Sequence, residues 1–156
     1  MARFARGRRT RAHHHVTARH PLHLSVLGLV AIGGAAGASA RYGISEAFPG
    51  TAGGFPWATF AINVVGSFLL AMLPALSVVR RNGRLPPLLG TGVLGGFTTL
   101  STYSAQARDL FADGAAGLAT LYVTGTLAAC LVAVAVADRF STAAARREFE
   151  DEEGDL

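Results

Sequence analysis

The chain has 156 residues, 51% of them hydrophobic and only 15% formally charged, against roughly 25% charged in a soluble domain. Its 14 basic residues are all arginine and leave a net charge of +4. The charges gather at the two ends and in short clusters between apolar blocks, which excludes an ordinary soluble domain.

Charge-free runs cover 20–40, 47–79, 85–107 and 114–137, each longer than the ~18 residues that raise a membrane helix. The reading is an all-α integral membrane protein with four transmembrane helices over 24–140. A basic, disordered tail is expected at 1–23 and a charged, solvated tail at 141–156, both too short for a catalytic domain. All five histidines precede the first helix, where a solvated tail explains them better than a metal site. The apolar stretch Leu24 to Ala36 followed by Ala38-Ser39-Ala40 imitates a cleaved secretory signal. Cutting there would divide a glycine pattern that continues to Tyr42, so the stretch is read as the first helix.

That helix is expected from about Leu24 to Ile44, with Gly33, Gly37, Gly34 and Ala38 giving a small-residue face for close helix packing. A turn-rich loop, Pro49 to Pro56, precedes an interfacial anchor, Trp57. The second helix is expected from Trp57 to Val79, with a possible kink at Pro74. In the third run, from about Pro87 to Ala107, Gly90, Gly92, Gly95 and Gly96 precede Thr98, Thr99, Ser101, Thr102 and Ser104. Glycines weaken a helix and hydroxyls offer its backbone other partners, so a break at mid-span is predicted. The phosphate-binding glycine pattern that Gly90, Gly92 and Gly95 spell has no preceding strand and is set aside. The fourth helix, about Gly114 to Ala137, carries Tyr122 and Thr126 on one face. Cys130 within it reads as a small packed hydrophobe.

Arginines 3, 6, 8, 9, 11, 19, 80, 81, 84, 139, 146 and 147 fall on one side of a four-span chain and only Arg41 and Arg108 on the other. This bias of 12 against 2 places both termini in the cytoplasm. It also accounts for the basic arm without a nucleic acid. The spans hold no carboxylate, histidine or lysine at mid-depth, which argues against an enzyme and against proton coupling. What they hold is neutral donors: Asn63, Ser67, Thr98, Thr99, Ser101, Thr102, Ser104, Tyr122, Thr124 and Thr126. Singly, each serves equally well as helix-to-helix glue. As a set they suit a small anion that must shed water and still leave.

Three motifs carry a resemblance. Gly33-Gly34-Ala35-Ala36-Gly37-Ala38-Ser39-Ala40-Arg41-Tyr42, Ala61-Ile62-Asn63-Val64-Val65-Gly66-Ser67-Phe68 and Gly95-Gly96-Phe97-Thr98-Thr99-Leu100-Ser101-Thr102-Tyr103 resemble, in order and helix position, those of the small four-helix fluoride channels called Fluc or CrcB. The resemblance implies a bacterial inner-membrane protein, an antiparallel dual-topology dimer with two narrow pores, and passive export of F⁻. It further implies a structural Na⁺ at the dimer centre on the carbonyls of Gly95 and Thr98. The fluoride path would pass Asn63, Ser101, Thr102, Tyr103, Tyr122 and Thr126. Arg41 would stand at a water-filled vestibule, or else be an interfacial snorkelling arginine.

The family usually has two phenylalanines where this chain has Leu100 and Tyr103. Tyrosine keeps an electropositive ring edge and adds a hydroxyl; leucine offers no such edge. Together with the one-sided arginine count, this favours a heterodimer with an oppositely oriented paralogue over a homodimer. The rival readings are a non-conducting scaffold subunit and a small four-helix multidrug exporter dependent on Glu46.

Overall fold

A computed structural model describes residues 24–154, with side chains to residue 142. The expected N-terminal tail, with its histidines and six arginines, lies outside the described residues. All regular structure among them is helical: α1 (Leu24–Ala47), α2 (Trp57–Met72), a 3₁₀ turn (Leu73–Ala75), α3 (Ser77–Arg81), a π-helical segment (Pro86–Leu94), α4 (Gly95–Phe97), α5 (Ser101–Ala112) and α6 (Ala116–Gly154).

Among the described residues, three stretches are long and apolar enough to cross a membrane: Leu24–Ala47, Trp57–Ala75 and Ala116–Thr142. At 1.5 Å per residue the first is about 36 Å long, more than the roughly 30 Å of bilayer hydrocarbon. No more than 22% of any of these spans is buried inside the chain. Leu69, Leu121, Leu131 and Val132 are exposed, an outer surface that lipid or another apolar partner must cover.

Two boundaries differ from expectation. The second run does not continue as one helix to Val79. Pro74 offers no N–H, the chain tightens into the 3₁₀ turn, and Leu76 is extended at φ −84°, ψ 111°. The Arg80 guanidinium then bonds Pro74 O at 2.6 Å. At the other end, the α6 backbone stays helical to Gly154, so no helix boundary separates the C-terminal segment from the fourth span.

The third run is the irregular one. Pro86 and Pro87 open it where missing N–H groups cost nothing. The turns then widen until the Gly95 N–H reaches back to Gly90 O. This segment and α4 lie against α1, and the small face predicted on α1 is the contact. A Cβ on Gly33 would strike Leu88 O and the Val93 amide, and one on Gly37 would strike Val93 O and the Phe97 amide. From the other side, a Cβ on Gly96 would strike the Gly34 carbonyl. Two backbones therefore touch with nothing between them, the form of helix association that lipid permits most readily.

α2 packs on α6, and α5 packs on α6. Their shared core is Ala107, Leu110, Ala119 and Tyr122, flanked by Phe55, Phe60 and Tyr103. Phe55 meets the Tyr122 ring edge-on at 5.4 Å, a favoured aromatic geometry. Two residues past the end of α5, Gly114, at a φ of 77°, lets the chain reverse into α6 without steric cost.

Candidate functional site

The helical path stops after Phe97 and resumes at Ser101, where the hydroxyl cluster predicted a break. What holds the three intervening residues is Asn63 on α2. Its Nδ2 donates to Thr99 O at 3.0 Å, and the Thr99 N–H donates to its Oδ1 at 2.8 Å. One primary amide thus satisfies both backbone groups of one residue, and this pairing fixes which end of the amide is which. Nδ2 carries a second hydrogen that no described residue accepts.

The break releases other backbone groups in turn. Thr99 N–H would close a helical turn onto Gly95 O, but it is held by Asn63. Thr102 N–H would meet Thr98 O, but it bonds Thr99 Oγ1 at 3.1 Å and so caps α5. The carbonyls of Gly95 and Thr98 consequently lose their helical donors, whereas the Gly96 carbonyl is met by Arg41 Nε at 3.2 Å. Free carbonyls beside a break are hard oxygen donors of the kind a small cation needs.

Beside the break is a cleft of about 280 Å³, open at the surface of the single chain, lined by Asn63, Ser67, Leu100, Tyr103, Thr126 and Cys130 among others. Thr126 is its most informative wall. Its side chain is 3% exposed, and its hydroxyl has no hydrogen-bond partner. Two other threonines on the same helix solve the same problem locally: Thr120 Oγ1 donates to Ala116 O at 2.9 Å and Thr124 Oγ1 to Thr120 O at 2.7 Å. An orphaned buried hydroxyl costs about 1–3 kcal/mol, and Thr126 carries that cost in the wall of the cleft.

The predicted path residues do not share one cavity. Asn63, Tyr103 and Thr126 meet in the cleft. Thr102 lies in a second cavity of about 430 Å³ with Thr59, Gln106, Asp109 and Asp113. Tyr122, fully buried, has its ring 5.1 Å from that of Tyr103. The Tyr103 hydroxyl, expected as an extra donor, donates instead to Val123 O at 2.7 Å, so the ring alone serves the cleft. The Tyr122 hydroxyl donates to Gln106 Oε1 at 2.9 Å. The Ser101 side chain is exposed, its Oγ 3.3 Å from Thr99 Oγ1. Leu100, at 74% exposure, is the most outward apolar residue of the cleft wall.

Gln106 and Thr59 are the polar residues that sequence reasoning passed over. Gln106 lies four residues after Thr102, on the same face of α5, a spacing that marks it as part of the polar stripe. Thr59 stands two residues after an aromatic anchor, and nothing around it distinguishes it from helix filler.

A polytopic helical membrane protein built around a clamped break, with an uncharged cleft beside it, is the class that this fold and site define. Residues 28–137 match the family described as CrcB-like protein, Camphor Resistance (CrcB). The chain belongs to that family. It is 48% identical over 111 residues to Fluoride-specific ion channel FluC 1 of Streptomyces coelicolor, covering 70% of this chain and 72% of that one. It is 42% identical over 132 residues to Fluoride-specific ion channel FluC 2 of Nocardia farcinica, covering 81% and 94%. With FluC of Chlorobaculum tepidum it shares 47% over 108 residues, 66% and 86% of the two chains.

Proposed function

We propose that this chain is a subunit of a passive, fluoride-selective channel in a bacterial inner membrane. The single observation that carries the reading is the unpartnered, buried Thr126 hydroxyl in a cleft that also holds a spare Asn63 N–H. Two neutral donors can replace part of the water around a bare halide while holding it loosely enough to release it. An interior-negative potential favours anion exit by about 2.3 kcal/mol per 100 mV, so no fuel is needed. The relatives named fluoride-specific channels point to the same ion.

The fourth crossing is made by the broken pair, the π-helical segment with α4 followed by α5, which returns the chain to the side on which it started and puts both termini in the cytoplasm. Two oppositely oriented subunits meet over their exposed apolar faces. A Na⁺ at their centre takes the carbonyls of Gly95 and Thr98, the ones stripped of helical donors by Asn63 and Thr99. Arg41, bonded at Gly96 O beside the break, adds positive potential for the anion.

The partner is a paralogue rather than a second copy, because 12 arginines against 2 fix one orientation of this chain. Leu100 also favours a second reading, in which this subunit's own pore is closed and it supports its partner's. Reconstitution decides between them. The complex with its paralogue empties fluoride-loaded liposomes while chloride stays inside, and the chain alone does not. Chloride passing as fast as fluoride would refute the selectivity claim. In the complex, Thr126→Val, which leaves the clamp on Thr99 intact, reduces efflux if this subunit's pore conducts and leaves it unchanged if the subunit is a scaffold.

A further inference from the structure

We propose that the groove between the end of α2 and the π-helical segment binds one anionic phospholipid, with its phosphate at Arg80 and an acyl chain laid along the groove. The groove follows from where α2 gives out. The chain tightens over Leu73–Ala75 and Leu76 is extended, and a space of about 620 Å³, open at the surface, is left beside the π-helical segment. Leu70, Leu73, Val79 and Leu94 form its apolar walls. Gly90 keeps it wide, since even a Cβ there would come within 3.5 Å of Leu73 and 3.6 Å of Leu70.

One end of the groove is charged. Arg80 lines it, and the bond from its Nη1 to Pro74 O, another lining residue, holds the guanidinium there. Arg81 and Arg84 follow close behind, and no carboxylate occurs in the sequence between Glu46 and Asp109. The other end is the helix break, at Gly95 and Thr98. The π-helical segment between the ends has 9 residues, roughly 13 Å at 1.5 Å per residue, close to half of a hydrocarbon core of about 30 Å. That is the reach of an acyl chain in one leaflet. A guanidinium grips a phosphate with two parallel N–H donors, and a cluster of arginines at a membrane boundary attracts anionic headgroups. A bare ion would gain nothing from the leucine walls, and a zwitterionic headgroup, which carries its own cation, would gain less from three arginines.

The test uses the full-length protein in mild detergent, with phosphatidylglycerol or phosphatidylcholine of equal chain length added, and counts retained lipid by native mass spectrometry. The expected result is one phosphatidylglycerol per copy of this chain, retained about tenfold more than phosphatidylcholine, as the attraction of an anionic headgroup to neighbouring arginines requires. Arg80→Gln removes most of that preference and Arg80→Lys keeps part of it. Thr91→Trp, which fills the groove from an exposed lining position and leaves the arginines in place, removes retention of both lipids. Arg139→Gln, exposed on α6 and outside the groove, leaves the preference unchanged. Equal retention of the two lipids, no retention of either, a preference that survives Arg80→Gln, or one that falls equally with Arg139→Gln would each overturn the inference. Displacement by glycerol phosphate alone would overturn it too, since the acyl groove would then play no part. Circular dichroism checks the fold of each variant, and if Arg80→Gln does not fold, Arg80→Lys and Thr91→Trp decide. Lipid is weighed and no flux is read, so the result stands apart from the fluoride reading.

Discussion

The contact between α1 and the first half of the third run and the contact between α2 and the break are both approaches of one helix to another's backbone, solved in opposite ways. The first removes side chains. Gly33, Gly37 and Gly96 leave nothing between the two main chains, and the interface needs no polar group. The second adds one. Asn63 extends across to Thr99 and supplies in one amide what an uninterrupted helix would have supplied from its own backbone. The glycine contact brings two main chains together directly, whereas the asparagine contact keeps a segment unwound by satisfying its backbone.

Substitutions sharpen that contrast. Gly37→Val should have the largest effect on folding, because its new methyls meet backbone atoms that cannot rotate away. Overpacking of this kind costs about 3 kcal/mol or more, and the expected outcome is loss of monodisperse protein in detergent size-exclusion chromatography. Asn63→Leu orphans both the N–H and the C=O of Thr99, at about 1–3 kcal/mol each. It should lower the detergent melting temperature and reduce fluoride efflux together.

Thr126→Val separates the two properties. It removes a buried hydroxyl that has no partner, so stability should stay level or rise by up to ~1 kcal/mol while fluoride efflux from liposomes falls. A melting temperature that dropped with efflux would mean that the hydroxyl is structural. Thr124→Val, on the same helix, loses only a bond to Thr120 O on an exposed surface. Bonds of this kind back onto the same helix add little to its stability, and neither stability nor efflux should change measurably. Leu100→Phe tests the departure from the family pattern: efflux should rise if the missing ring edge limits this pore.

Three of the four expected spans, the small face on α1 and the break after Phe97 were legible in the chain because each depends on local composition. Apolar length selects the bilayer, glycine spacing of four selects a face, and a glycine run followed by hydroxyls weakens a helix. Pro74 was recognised as a disturbance, but its strength was not. Whether a proline kinks or ends a membrane helix depends on who satisfies the freed carbonyl; here Leu70 O takes the Leu73 N–H as the chain tightens into a 3₁₀ turn, while Arg80 bonds the carbonyl of Pro74 itself. Gln106 was missed because its role rests on Tyr122, a residue on a different helix.

The sequence by itself determined that this chain carries membrane-length apolar helices and where its third run gives way, since these follow from transfer energies and propensities summed over neighbouring residues. Only the tertiary structure decided which polar groups are spent and which are spare. Asn63, Tyr103 and Tyr122 look alike as donors along the chain, yet Asn63 clamps Thr99, the two tyrosine hydroxyls are bonded to α6 and α5, and the buried Thr126 hydroxyl is left without a partner. A hydrogen bond is made or withheld by partners far apart in sequence, and that pairing exists only once the helices are packed.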